Sequence, residues 1–96
     1  MFRAAIAADP QNIDARCGIA LNLMASGDVA GAEAAYRAII ATDPQYPYAH
    51  SNLGSLLFNR GEFAGAAASF AKALQINPSH ESAMQNLAMA LKMMRS

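Results

Sequence analysis

A regular spacing of prolines is the feature that most limits how this chain can fold. Pro10, Pro44 and Pro78 stand 34 residues apart, and an aspartate or asparagine precedes each of them. The same 34-residue shift places Tyr36 on Phe70, and it aligns small and apolar residues over most of the 96-residue chain. Such a period is typical of a stack of similar units, each of which buries its apolar face against the next.

Within one period the apolar residues follow helical spacing and are divided by a glycine. Between residues 47 and 60, four residues share one helix face, namely His50, Leu53, Gly54 and Leu57. Gly61 is expected to end this helix, because glycine adopts the positive φ that follows a last helical turn. A second apolar face then runs to Pro78 and consists of Phe63, Ala66, Phe70, Ala73 and Leu74. Each period therefore predicts two helices.

Small residues in the middle of these faces predict helices that pack closely. In the first full period, Ala20 lies mid-face on the first helix and Ala32 on the second, and the residues 34 positions later are equally small. Helix axes approach to the low end of about 8–10 Å only where the contact residues are small. We expect Ile19, Ala20 and Leu23 to face the partner helix, with Tyr36 filling the space beside them.

The motif that recurs in each period has a recognisable form. It comprises Leu53-Gly54, Gly61-Glu62, Ala66, Phe70, Ala73 and Pro78, and earlier Ile19-Ala20, Gly27-Asp28, Ala32, Tyr36 and Pro44. These residues resemble the pattern of the tetratricopeptide repeat family. The resemblance implies an all-α solenoid of antiparallel helix pairs that binds another protein. His50 and Arg16 stand where the family has a large aromatic residue, which changes side-chain packing more than topology.

The register of the repeat predicts a single tetratricopeptide domain, 1–96, with incomplete ends. Residues 13–46 and 47–80 are the two full repeats. Residues 1–12 hold only the second helix of a partial repeat, and residues 81–96 hold only the first helix of a third. We therefore expect six helical segments, and we expect the chain to be a fragment of a longer array.

The charge balance excludes several classes of partner. Seven basic and seven acidic residues give zero formal net charge, so the chain lacks the basic surface of a nucleic-acid or membrane-surface binder. No apolar run approaches the length of about 18 residues that spans a bilayer. The residues before Pro10 are too few for a secretory leader. We expect a cytoplasmic protein whose partner is a protein or peptide.

Catalytic and metal-binding chemistry is not expected from this sequence. Cys17, the only cysteine, is interpreted as a small half-buried helix residue and not as a nucleophile with His50 or His80 as its base. The two histidines lack the i, i+4 spacing of a helical metal site, and we assign them to packing and capping. We expect no enzyme, no cofactor and no small-molecule substrate.

The first helices are expected to line a peptide-binding groove on the concave side of the solenoid, with the faces that point away from their partner helices. By helical spacing the groove residues are Cys17, Leu21, Met24, Tyr48, Ser51, Asn52, Ser55, Phe58, Asn59, Gln85, Asn86, Met89 and Lys92. Their amide, hydroxyl, thioether and aromatic groups suit an extended peptide or an amphipathic helix. The plainer alternative is a solvated face with no ligand.

Two further resemblances bear on the ligand of this groove. Co-chaperone members of the family hold acidic C-termini with Lys, Asn and Arg side chains, and of the matching positions here only Asn52 fits. Residues 49–54 resemble the repeats of O-linked N-acetylglucosamine transferases, whose asparagine ladder implies Asn52 and Asn86 as consecutive rungs. Such rungs hydrogen-bond a peptide backbone. Gly18 interrupts the ladder in the first repeat.

The last helix supports a rival hypothesis, in which copies of the chain associate with one another. Its apolar arc is wider than one neighbouring helix pair covers, whereas a terminal helix of a solenoid should have a polar outer side. A homo-oligomer would use this arc and the opposite end of the chain, namely Phe2, Ile6, Met84, Leu87, Leu91 and Met94.

Overall fold

Five helices make up most of residues 13–95, the part of the chain that the computed structural model describes. They are α1 (Ile13–Ala25), α2 (Val29–Thr42), α3 (Pro47–Asn59), α4 (Phe63–Ile76) and α5 (Glu81–Arg95). Residues 13–95 contain no β-strand, so the predicted all-α fold is confirmed. The sixth segment, predicted within residues 1–12, lies outside the described residues, as do Phe2 and Ile6.

Glycine ends the first helix of each pair in the manner that the sequence predicted. Gly27 has a φ of +92°, and its N–H donates to the Met24 carbonyl at 3.1 Å, while the Asp28 N–H donates to the Leu23 carbonyl at 2.8 Å. Gly61 has a φ of +82°, and the equivalent two backbone hydrogen bonds form at this turn. This pair of hydrogen bonds is the Schellman motif, which needs a left-handed residue at its centre.

The second helices and α5 begin with different caps. The Asp28 carboxylate accepts a hydrogen bond from the Gly31 N–H at 2.9 Å and so caps α2. Glu62 occupies the same place before α4, but it provides no side-chain cap. At α5 the cap is His80, whose Nδ1 accepts from the Ala83 N–H at 3.5 Å. The predicted capping role of this histidine is confirmed.

The described residues fall into two compact units, the first ending at Pro44 and the second beginning at Gln45. In the first unit α1 packs against α2, and the connection of three residues between them fixes an antiparallel pair. Ala20, Ala32 and Tyr36 are fully buried there, as predicted.

The prediction that Ile19 faces α2 is wrong. Its side chain is 42% exposed. The α1 face that meets α2 carries the small residue Ala20 instead. The counterpart of Ile19 in the second repeat, Leu53, is buried, so the two repeats differ at this position.

In the second unit α4 packs against both α3 and α5, and α3 also contacts α5 directly. The buried residues of α4 are Ala66, Ala67, Phe70 and Ala73. A Cβ atom added to Gly54 of α3 would lie only 2.7 Å from Cε1 of Phe70. The ring of Phe70 therefore rests directly on the α3 backbone, and this approach depends on the absence of a side chain at Gly54.

Tyr36 carries a buried hydroxyl that has no hydrogen-bond partner within the described residues. Burial removes the phenolate from water and, with a smaller contribution from Cys17, raises the pKa of Tyr36 to about 12. The counterpart of Tyr36 in the second repeat is Phe70, which has no hydroxyl to satisfy.

We expect Tyr36→Phe to raise the free energy of unfolding by about 1 kcal/mol near neutral pH, because it removes a buried polar group without a partner. Since the pKa in the folded state lies above the ordinary value of 10, the wild type keeps its full stability below pH 10. It loses part of that stability as the pH rises towards 12.

The advantage of the Tyr36→Phe variant over the wild type should therefore grow with pH across this window. Urea unfolding at neutral and at alkaline pH measures both effects. A variant less stable than the wild type by 1 kcal/mol or more would show that the hydroxyl has a favourable partner.

Candidate functional site

An open cavity of about 290 Å³ lies in the second unit, between α3 and α5. Its lining comes from three helices and consists of Ser55, Phe58, Asn59, Phe70, Asn86 and Met89. On α3 the lining residues follow i, i+3 and i+4 spacing, and on α5 they follow i, i+3 spacing, so each helix presents one face to the cavity. The remaining lining residue belongs to α4, which lies behind the other two helices.

Two aromatic rings give the cavity a defined apolar wall. Phe70 is almost wholly buried and contributes a small part of its surface to the cavity. Its position follows from its close approach to Gly54. Phe58 is half-buried, and its ring meets that of Phe63 edge to face, with centroids 5.0 Å apart. Edge-to-face contacts of this kind stabilise a ring pair by about 0.5–1.5 kcal/mol, so the contact with Phe63 favours this orientation of Phe58.

The polar groups of the cavity are neutral. They are the Ser55 hydroxyl and the amides of Asn59 and Asn86, and none of the six lining residues is ionisable. The charges that follow Asn59 in sequence are paired, since Arg60 Nε donates to Glu62 Oε2 at 2.7 Å. A side-chain amide both donates and accepts hydrogen bonds, so this arrangement suits the backbone of another polypeptide.

The structure brings together five of the residues predicted to line a groove, namely Ser55, Phe58, Asn59, Asn86 and Met89. The other predicted residues of the second unit do not line the cavity. Of these, Asn52 is half-buried, whereas Tyr48, Gln85 and Lys92 are exposed. In the first unit Leu21 is exposed and Met24 is half-buried.

Cys17 and Ser51, also predicted as groove residues, are buried, with only 5% and 6% of their surface exposed. They are equivalent positions of the two repeats, and each precedes the small residue of its helix seam, Ala20 or Gly54, by three positions. Residues three apart lie on nearly the same helix face. Cys17 and Ser51 therefore lie on the face that packs inwards. A ligand could contact only a small part of either side chain.

Phe70 is the cavity residue that sequence reasoning missed. It was assigned to the seam between helices, which is correct, but the seam opens into the cavity at this ring. The signal that could have revealed it is the glycine at position 54, where the first repeat has Ala20. A smaller residue opposite an aromatic ring lets the ring move back and leaves space in front of it.

A second feature of this unit is the apolar surface of α5. Met84, Leu91 and Met94, which share one side of the helix, are each more than 40% exposed. Met89 and Met93 are equally exposed but lie on the opposite side. A shallow depression of about 460 Å³ lies on this helix, lined by Ala88, Leu91, Met94 and Arg95. Leu87, also predicted for self-association, is half-buried.

The histidines take structural positions in the second unit. His50 is buried in α3, which confirms its predicted packing position. His80 caps α5, and its ring meets the ring of Tyr48 edge to face, with centroids 5.5 Å apart. Within residues 13–95 no three His, Cys, Asp or Glu residues group as metal ligands do. No helix in the same range has the length and apolar character that crossing a bilayer requires.

Comparison with protein families identifies the repeat. The model of the tetratricopeptide repeat matches residues 1–47 and residues 17–81, which together cover most of the chain. The chain belongs to the tetratricopeptide repeat family. No curated protein matches the sequence.

Solved tetratricopeptide repeat structures superimpose well on this chain. YrrB, a TPR protein with an unusual peptide-binding site, gives a TM-score of 0.77 at 23% identity, over 88% of this chain and 43% of YrrB. The first TPR of Spaghetti (RPAP3), bound to the HSP90 peptide SRMEEVD, gives 0.85 at 21% identity, over 99% and 75%. A MamA protein structure gives 0.78 at 22% identity, over 97% and 51%.

These likenesses show that the chain has the tetratricopeptide fold. The chain spans 43% of the length of YrrB and 51% of the MamA protein, so it matches about half of these longer arrays.

Proposed function

We propose that this tetratricopeptide chain is a non-catalytic interaction module that holds an extended peptide or a partner helix in the groove between α3 and α5. The observation that carries the proposal is the composition of the cavity, in which two amides and a hydroxyl surround two aromatic rings and a thioether. Apolar anchors with a few placed polar groups characterise ligand sites. Spaghetti and YrrB, which share the fold, are both described with peptides.

The groove extends, in this proposal, beyond the cavity along the exposed faces of the first helices. In the second unit it includes Tyr48, Asn52, Gln85 and Lys92. Asn52 and Asn86 stand 34 residues apart, so they occupy the same position of successive repeats. Their likeness to the asparagine ladder of O-linked N-acetylglucosamine transferases supports a backbone-binding role for both amides.

Binding in this groove does not require a terminal carboxylate on the partner. A carboxylate is bound tightly where Lys or Arg donates charge-assisted hydrogen bonds. The cavity lining contains no cation, and Asn52 is the one residue that fits the clamp of the co-chaperone repeats. We therefore propose that the part of the ligand that enters the cavity is an internal, uncharged segment.

A peptide array probed with the whole chain tests the proposal. Peptides captured by the wild type should bind at least about tenfold more weakly to a triple variant in which Asn52, Phe58 and Asn86 are alanine, because hot-spot truncations cost this much or more. The sedimentation mass of that variant should stay unchanged. Met84→Ala serves as the control, since Met84 is exposed and does not line the cavity. Equal capture by the wild type and the triple variant would refute the proposal.

Self-association is the second candidate function, and the exposed apolar face of α5 favours it. Methionine and leucine side chains that are half exposed in a cluster mark interaction surfaces. If copies of the chain associate through this face, Met84→Glu with Leu91→Glu should convert the oligomer into a monomer in sedimentation equilibrium. Peptide capture in the groove should survive this change. A wild type that stays monomeric at high concentration excludes this candidate.

A further inference from the structure

We propose that the cavity between α3 and α5 is an anchor pocket for one aromatic side chain of the bound polypeptide. The inference rests on the proposed function and specifies the chemistry of its ligand. In this arrangement the ring enters between Phe58, Phe70 and Met89. The amides of Asn59 and Asn86 bond the uncharged backbone on either side of it.

The size of the cavity fits a ring together with part of the backbone that carries it. Its volume is about 290 Å³, whereas an apolar cavity of about 150 Å³ is enough to hold benzene. Drug-sized ligands occupy pockets of about 300–1,000 Å³. The cavity therefore has room for one aromatic side chain.

The walls of the cavity select an aromatic group over other side chains. The half-buried Phe58 offers most of the accessible ring surface, and Phe70 adds a small part of its ring. Such surface attracts a third ring in edge-to-face or offset geometry. The thioether of Met89 adds a favourable sulfur–aromatic contact. A charged side chain would lose its water here and find no opposite charge among the lining residues, which is unfavourable. The lining thus discriminates against Asp, Glu, Lys and Arg.

The depth of the pocket depends on Gly54. Gly54 has no Cβ, and the Phe70 ring lies close to its backbone. The methyl group of an alanine at position 54 would lie only 2.7 Å from the Phe70 ring. Only a small part of the ring borders the cavity. The first repeat has Ala20 with Tyr36 at the equivalent positions, so the same recess is not available to the tyrosine ring.

An NMR titration of the whole chain with N-acetyl-phenylalaninamide tests the pocket directly. This probe carries one ring and two uncharged peptide groups. We expect saturable shifts at the Met89 methyl group and at the side-chain amides of Asn59 and Asn86, with a dissociation constant in the millimolar range. N-acetyl-alaninamide should leave these signals unchanged, and N-acetyl-glutamate amide should do so too. Equal responses to all three probes would overturn the proposal.

Two methionine variants provide a matched comparison in the same titration. Met89 and Met84 lie on the same helix and are 52% and 51% exposed, so their truncation should affect folding equally. Met89→Ala should weaken binding of the phenylalanine probe about two- to tenfold, because it removes a sulfur–aromatic contact. Met84→Ala should leave binding unchanged. Equal effects of the two changes would contradict the pocket.

The captured peptides separate this proposal from the function on which it rests. If replacing each aromatic residue of a captured peptide by alanine never weakens binding, the pocket is refuted and the peptide-binding function stands. If the phenylalanine probe binds as described while no peptide is captured, the function is refuted and the pocket stands. Loss of capture on replacing one aromatic residue supports both.

Discussion

Replacing Phe70 with alanine is expected to lower the free energy of unfolding by about 3–5 kcal/mol, the usual cost of deleting a buried aromatic ring. The ring is 1% exposed and lies directly on the α3 backbone at Gly54. It belongs to α4, the helix that packs against both α3 and α5. Its loss therefore weakens the interface between α3 and α4.

The free energy of unfolding lost in Phe70→Ala should fall near the lower end of that range, because the space left by the ring joins an open cavity. Water and the side chain of Phe58 can enter the enlarged cavity, whereas a sealed void could not be filled. Urea unfolding followed by circular dichroism measures the change. Phe70→Leu retains most of the apolar volume and serves as a second variant if the alanine protein does not fold. A loss below 1 kcal/mol for alanine would show that the ring does not hold the helices together.

The fold could be predicted from the sequence because its repeat constrains many residues at once. Gly27 and Gly61 were expected to end helices, and both have the positive φ that this requires. Ala20 and Ala32 were expected in a close seam, and both are buried. In each case one local rule determines the outcome, since a left-handed turn selects glycine and a close helix contact selects a small side chain.

The assignment of individual residues to the groove was less accurate because it depends on the rotation of each helix. Neighbouring residues differ by about 100° around a helix axis, so a small rotation moves a residue between the seam and the surface. Cys17 and Ser51 were placed on the groove and are buried, whereas Ile19 was placed in the seam and is exposed. Helical spacing gives the order of residues around a helix but does not fix which of them faces a neighbour.

The cavity itself was beyond sequence reasoning, because its depth results from a contact between helices. Phe70 and Gly54 lie 16 residues apart on separate helices, and each is consistent with the repeat pattern by itself. Only their approach in space shows that the ring lies directly against the α3 backbone. One small residue thus permits tight packing of α3 with α4 and opens the space that we assign to a ligand.

Replacing Ala66 with leucine is the second large change, with an expected loss of about 1–3 kcal/mol in the free energy of unfolding. Ala66 is fully buried on α4 and shares its helix face with Phe70. Three added carbon atoms have no free space there, so the helices must separate or the side chains must leave their preferred rotamers.

Ala68→Leu on the same helix provides the control for this loss, because Ala68 is exposed. Alanine and leucine are both strong helix formers, so both variants change helix propensity by the same small amount. The difference between their urea midpoints therefore measures the packing at position 66 alone. Ala68→Leu should remain close to the wild type. If the two variants unfold at the same urea concentration, α4 does not pack as closely as its alanines indicate, and the repeat is held by other contacts.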